Sequence, residues 1–550
     1  MKIGKPKLLT SMKGYGKEQL IKDTFAGMMV AVIAFPLSIA LAISSGVSPE
    51  RGLYSAIIGG FFVSLLGGSR VNIGGVTAAT VMTVFTVVER FELTGLAVAG
   101  IMAGIILVLM GLLRLGTLLK YIPRTITLGF TAGIAAGIFA GQLKGFFGFT
   151  VAELPVKTVD KLIAYAKVLN TAEPMTLAVG LLSILILVFL PKATQKIPGS
   201  LAAIVIPTIL VQIAKLPVAT IRSVYGELPT HFPQPQLPRI SPETVPALLP
   251  YAFTLAILTA IVSLLSCVVT DGLTGERHDS NQELIAEGAA NIFCGLFGAV
   301  PVAGAVARSC NNVKYGGKTP VAGIIHSLTV ALILIFLIPL AGFIPIAALS
   351  AVLIMVAYHM ISWREIGRIV RCAPKSDCIV LLGTFAAGVT ADLLFAVEAG
   401  IILSAVLMMR KMSNVTTIRE WSYHQDGYLR VPADTQVFEL DGSLFFATAD
   451  EMMRIVPGES TRVIIFRMGS MAVIDITAID HLQRLAERLE RRGITLLLSH
   501  IREYPYLVME KAGFIDHIGA GCLCASINEA LIKADQIISA ESENLPAAEL

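Results

Sequence analysis

Charge is scarce in this chain. Asp, Glu, Lys and Arg make up 15% of its 550 residues, against 55% hydrophobic residues, where a soluble domain carries about 25% charge. That imbalance excludes a single soluble globule, and it excludes a disordered chain, which needs low hydrophobicity. The net charge of +4 is too small to imply a polyanionic partner, so a nucleic-acid binder is excluded as well. Cysteine is equally uninformative as a framework. The seven are scattered at Cys267, Cys294, Cys310, Cys372, Cys378, Cys522 and Cys524, with no disulfide or zinc spacing. Cys522 and Cys524 alternate on an expected strand and so share one face, as a buried structural pair. The soluble part holds no nucleophile and base pair and no metal cluster, so no enzyme is expected and no cofactor or metal is called for.

What charge there is falls unevenly. About 50 charged residues lie in the first 411 positions, roughly 12%, and about 32 in the remaining 139, roughly 23%. A membrane domain is therefore followed by an ordinary soluble one. Apolar runs fall near 24–44, 52–68, 73–88, 94–113, 122–141, 174–190, 199–216, 249–270, 284–298, 301–310, 320–340, 343–360, 376–392 and 394–410. Each full run approaches the ~20 residues needed to cross hydrocarbon. Fourteen segments put both termini on one side of the bilayer. Lys2, Lys5, Lys7, Lys13, Lys17, Lys22, Arg70, Arg114, Lys120, Lys192, Lys196, Lys314, Lys318, Arg364, Arg368, Arg371, Arg410 and Lys411 all fall on that side, which the positive-inside rule makes cytoplasmic. The expected location is a bacterial inner membrane, multi-pass, and the N-terminal lysines lack the small-residue cleavage site of a signal peptide.

Two runs, 73–88 and 301–310, are short and rich in small residues: Gly74-Gly75-Val76-Thr77-Ala78-Ala79 and Pro301-Val302-Ala303-Gly304-Ala305. They are third and tenth, so each is third in a set of seven. Paired interrupted helices at matching places point to an inverted repeat with a binding site at the membrane midplane. Glycine-mediated helix packing is the alternative. After Lys411, Thr435–Leu440, Gly442–Phe446, Arg462–Met468 and Ile494–Leu498 read as strands, and Ile479–Arg491 and Tyr506–Ala512 as helices. Alternation of this kind makes a small α/β domain.

Several motifs carry a resemblance. They are Ala26-Gly27, Pro36 and Gly46-Val47-Ser48-Pro49-Glu50-Arg51-Gly52-Leu53-Tyr54, then the run from Asp271 through Leu284, then Gly298, Pro301, Gly304, Ala307-Arg308-Ser309 and Asn312. On these the chain resembles the sulfate permease (SulP) family of anion transporters with a C-terminal STAS domain, and within it most the bacterial C4-dicarboxylic acid transporters. The resemblance implies an α-helical polytopic membrane protein of 14 segments in two inverted repeats of seven. Its expected divisions are a cytoplasmic N-terminal segment 1–23, a transport domain 24–411, a linker 412–429, a cytoplasmic α/β STAS domain 430–539 and a disordered tail 540–550. Within the transport domain, segments 1–4 and 8–11 form a core and 5–7 and 12–14 a gate. The implied function is secondary active transport of a small anion by alternating access, such as succinate or fumarate. Sulfate or bicarbonate transport, or uncoupled anion exchange or channel activity, is the alternative. Expected partners are the anion, protons as coupling ion, the lipid bilayer and a second copy in a homodimer.

In that resemblance two half-helices meet N-terminus to N-terminus and aim free N–H groups at one anion. The first offers the amides of Thr77, Ala78 and Ala79, the second those of Ala303, Gly304 and Ala305, with Ala307 and Arg308 beyond. An Arg within membrane sequence is a functional candidate, the alternative being an anchor that snorkels to the cytoplasm. Leu37, Ser38 and Leu41 supply a wall with one hydroxyl. The chain departs from the family at two places. Val76 stands where Pro is usual, restoring an N–H, and Val262 stands where a carboxylate is usual, leaving Ser266 a poor site for a hard cation. Glu283, Glu287, Asp271, Glu276 and Asp279 could relay protons or be a solvated loop and helix start. His326 reads as a hydrogen-bonded packing residue. Thr477 stands where related domains are phosphorylated, and its ordinary reading is a helix cap.

Overall fold

The computed structural model describes residues 4–12, 14–117, 123–151, 155, 157–194, 198–230, 232–238, 241–391, 393–421 and 430–543. Lys2, Lys13, Lys120 and Lys196, counted above for topology, lie outside them. The chain divides into two compact units, Met1–Ile402 and Leu403–Leu550.

The first unit opens with α1 (Lys7–Ser11), α2 (Lys17–Ser44) and α3 (Pro49–Leu66), the last with proline at its first position, where a missing N–H costs nothing. The chain then extends as β1 (Gly74–Gly75) and turns into α4 (Val81–Leu112). The range of α4 holds two helices, joined at Glu92 with φ 56° and ψ −169°, which accounts for two of the apolar runs. Next come α5 (Arg124–Phe147), α6 (Thr158–Lys167), α7 (Pro174–Ala193), α8 (Gly199–Ile213) and α9 (Ile221–Tyr225). The second half runs through α10 (Val245–Thr274), α11 (Ser280–Leu296), β2 (Ala303–Gly304), α12 (Val306–Lys314), α13 (Val321–Ala341), α14 (Ile346–Met360), α15 (Trp363–Cys372), α16 (Lys375–Thr390) and α17 (Leu393–Val415).

Among the described residues seven helices are long and apolar enough to cross a bilayer. Outer positions such as Ile213 and Phe336 are exposed at 78% and 71%, as expected where the solvent is lipid rather than water. The helices fall into two packing groups. In one, α11 lies against α3 and α4, α10 against α4 and α12, and α13 against α2 and α3; in the other, α5 packs with α14 and α16, and α7 with α8 and α14.

The second unit contains β3 (Thr417–Glu420), β4 (Thr435–Leu444), α18 (Asp450–Met453), β5 (Val463–Arg467), β6 (Met471–Ile474), α19 (Ile476–Glu490), β7 (Thr495–Ser499), α20 (Glu503–Lys511), α21 (Phe514–Ile518), β8 (Leu523–Cys524) and α22 (Ile527–Glu543). The sheet order is β3-β4-β5-β7-β8, antiparallel at β3–β4 and parallel from there, with β6 pairing β4. Successive strand residues point to opposite faces, and both faces are covered. Phe438, Ile464 and Phe466 meet Leu482 and Leu485 of α19, while Val437, Val463 and Ile465 meet Ala530 and Leu531 of α22.

Several expectations shift here. The two strands read at 435–440 and 442–446 begin as one strand, β4, whose ladder slips only between Gly442 and Ser443. The segment expected as a linker at 412–429 holds the end of α17 and β3, and 422–429 lie outside the described residues. The tail expected from 540 begins inside α22, whose alternating Ile and Ala face docks on the sheet; 544–550 are not described. Cys522 precedes β8, so only Cys524 is a strand residue. Burial pushes both thiols up from the ordinary range, away from the reactive thiolate. Thr477 does not cap α19. That role belongs to Asp475, which accepts from the Ala478 N–H at 2.9 Å.

Candidate functional site

The two short segments meet. β1 and β2 pair antiparallel, Gly74 opposite Gly304 and Gly75 opposite Ala303, and the Ala305 N–H continues the contact to Ile73 O at 3.1 Å. Past β1 the chain stays extended to Thr77 and then makes one tight turn, Ala78–Thr80, before α4. Past β2, α12 begins at Val306 with Ala305 as a cap that has no side-chain bond. Each helix therefore starts beside the crossing with first-turn amides that have no intrahelical acceptor.

On the first side these amides come from the expected residues, around Thr77, Ala78 and Ala79. On the second side the expectation is displaced by three residues. The Gly304 N–H is taken by Ser263 Oγ at 2.8 Å, that of Ala305 by Ile73, and Ala303 stands in the strand pair. The open amides belong to Val306, Ala307 and Arg308. The reason is register: three residues that sequence alone assigns to a helix start are drawn into the ladder with β1.

Arg308 defines the centre. Its side chain is 1% exposed and turns toward the crossing, so it is no snorkelling anchor. Nη1 donates to Gly74 O at 3.2 Å, and Nη2 to Ser38 Oγ at 3.1 Å and Val76 O at 3.3 Å. Its Nε has no partner, and no carboxylate lies within 4 Å among the described residues. The approach is close enough that a Cβ on Gly75 would occupy the guanidinium's place, and one on Gly304 would meet the Asn72 side chain. Ser38, Leu41, Val76, Thr77, Ala78 and Ala79 are buried around this point. Leu37, Val262, Ala305 and Ala307 are partly or fully accessible.

Ser266 belongs elsewhere. It donates to Asn72 Oδ1 at 2.8 Å, in a buried polar cluster that the sequence did not announce. There Glu283 accepts from the Gly68 and Ser69 N–H groups at 2.7 and 2.9 Å and from Asn72 Nδ2 at 2.6 Å, while Ser309 Oγ accepts from the Ile73 N–H at 3.1 Å. Asn291 clamps Val302 in the same manner, donating to its carbonyl at 2.9 Å and accepting its N–H at 2.9 Å. Short polar residues inside apolar runs were the available signal.

The acids read as a relay divide. Asp279 caps α11, Glu276 pairs with Arg70 in the exposed loop, and Asp271 holds His278 at 2.6 Å. Glu283 lies in the first turn of α11, the helix start expected of it, with Glu287 one turn further, and both are fully buried. His326 is buried, but neither ring nitrogen is hydrogen-bonded, against the hydrogen-bonded role expected of it. A cleft of about 540 Å³ opens at the end of the bundle holding the N-terminal lysines, lined by Tyr15, Arg70, His278 and Lys318 among others.

Comparison with known proteins places the chain in a family. YvdB of Bacillus subtilis, provisionally described as a sulfate transporter, is 35% identical over 512 residues, covering 92% of this chain and 96% of its own. The bicarbonate transporter BicA of a Picosynechococcus strain is 30% identical over 461 residues, covering 78% and 80%. The structure of the murine Solute Carrier 26 member A9 anion transporter matches with a TM-score of 0.86 at 20% identity, covering 96% and 94%, a likeness of fold. These relatives carry no dicarboxylate description, so the expected subfamily finds no support in them. The sulfate permease family profile matches residues 20–384 and the STAS domain profile residues 428–530, and the chain belongs to the sulfate permease family of multi-pass anion transporters.

Proposed function

We propose that the protein carries a small inorganic oxyanion, sulfate or bicarbonate, across the bacterial inner membrane, holding it between the two half-helix N-termini and beside Arg308. The observation that carries this reading is a buried guanidinium with three neutral acceptors, an Nε without a partner and no acid. An unpaired buried charge is costly, and an anion arriving at the open amides supplies the missing partner. The small side chains of Ala78, Ala79, Ala305 and Ala307 leave the backbone approachable. These donors all lie within a few residues of the β1–β2 crossing, a short span that suits a compact anion better than the two separated carboxylates of succinate or fumarate.

Movement follows from the packing. The group containing α2–α4 and α10–α13 carries the whole cradle, and sliding it against the group containing α5, α7, α8, α14 and α16 exposes the anion to each face in turn. Uncoupled exchange is the second reading, and Val262 favours it, since an apolar side chain carries no proton between the two states. Uptake of labelled sulfate, bicarbonate and succinate into proteoliposomes, with and without proton and sodium gradients, tests both. Succinate uptake exceeding the inorganic anions overturns the substrate reading, and strong gradient-driven accumulation overturns the uncoupled one.

A further inference from the structure

Lys161 has no place in the site just described. It lies on α6, which follows α5 at the end of the bundle opposite the N-terminal lysines. Thr158, Lys161 and Tyr165 form the buried stripe of this helix, at the three- and four-residue spacing of one helical face. A lysine in such a stripe is out of character, since its ammonium is normally carried to water on a flexible stem. Here it is 3% exposed. Nζ sits 5.4 Å from the centroid of the Phe85 ring and 4.0 Å from Met82 Sδ. No carboxylate bridges it among the described residues, and Glu89 favours its charged form only from a distance. A ring face and a thioether return part of what an ammonium loses on leaving water, and not the whole.

The position gives the burial a meaning. Met82 is one helical turn beyond Ala79, so the ammonium lies against the first turn of α4. Gly137 of α5, Thr158 of α6 and Met82 converge there, since a Cβ on Gly137 would lie in contact with both. α6 thus packs its buried face against the first turns of α4 and against α5, with Lys161 held between them.

We propose that Lys161 is a second anion-binding residue, which receives an oxyanion from the outer face when α6 lifts and passes it inward to the half-helix amides and Arg308. The inference rests on the transport reading above. In the closed state Phe85 and Met82 hold the ammonium in place of the anion. On opening it becomes the first fixed positive charge that an incoming sulfate or bicarbonate meets.

The test is sided. In oriented proteoliposomes, Lys161→Met raises the half-saturating concentration of outer sulfate or bicarbonate about tenfold, the loss of one charged hydrogen bond, and leaves the inner-face value within about twofold. Lys161→Arg restores the outer value. Equal shifts on both faces, or none, overturn the proposal. A second measurement needs no transport: acylation of Lys161 by a membrane-impermeant N-hydroxysuccinimide ester from outside, read by peptide mass spectrometry, is slowed by sulfate or bicarbonate. Labelling indifferent to both anions, or no labelling at all, overturns the proposal whether or not uptake is intact. Absent uptake with anion-protected labelling sinks the transport reading alone.

Discussion

Glu283 and Arg308 are both buried charges beside the same pair of short strands, and their surroundings are opposite. Glu283 is complete: two backbone N–H groups and the Asn72 amide reach its oxygens, and the cluster joins α11 to the chain entering β1. Arg308 is half of a pair. Its acceptors are two carbonyls and a hydroxyl, none of which cancels its charge. A buried charge satisfied from within serves the fold, whereas one left open points to a partner from outside.

The comparison can be broken in order of expected effect. Arg308→Ala removes the charge proposed to meet the anion, and loss of such a partner is worth about 2 to 5 kcal/mol. Uptake should fall by a hundredfold or more while the melting temperature in detergent holds or rises. A melting temperature that collapses instead would make Arg308 a structural residue like Glu283. Glu283→Ala should do the reverse. It strands three donors, at about 1 to 3 kcal/mol for each buried group left unsatisfied. Thermal unfolding should shift sharply downward, with anion affinity in the surviving folded protein little changed. Gly75→Ala sharpens the contrast from the backbone side, since its Cβ displaces the guanidinium without removing it. Uptake about tenfold lower, with some loss of stability because a side chain is strained at φ 158°, is the expected outcome. The smallest effect belongs to the second unit. Asp475→Ala removes the α19 cap at a cost of about 1 kcal/mol, read as faster hydrogen exchange in the first turn of that helix in the full chain, with transport unaltered.

Much of this was legible in the sequence, for identifiable reasons. Glycines and a lone arginine stand out within apolar runs, so the two short segments and Arg308 could be named from pattern alone. The exact donors could not. Which amides stay open on the second side depends on Gly74 meeting Gly304, a pairing across 230 positions of chain that no local rule reports, and it moves the helix start from Ala303 to Val306. The hydrogen-bonding role of Ser263 is not legible because a short polar residue in a membrane helix reads as packing until its partner is known. Thr477 and Asp475 compete for one cap two residues apart, a margin within which helix starts cannot be fixed from sequence. Lys161 is invisible for a different reason: it falls between the apolar runs at 122–141 and 174–190, and only the contacts of α6 reveal which face is turned inward.

The strand pair has a mechanical consequence. Because β1 and β2 are tied to one another, the proposed carriage would move the two halves of the cradle together, with the ion as cargo clamped in a vice whose jaws share one hinge pin. The grip is then the same whichever reservoir the carriage faces. Any difference between loading and unloading has to be written into the doors at either end of the track, not into the clamp.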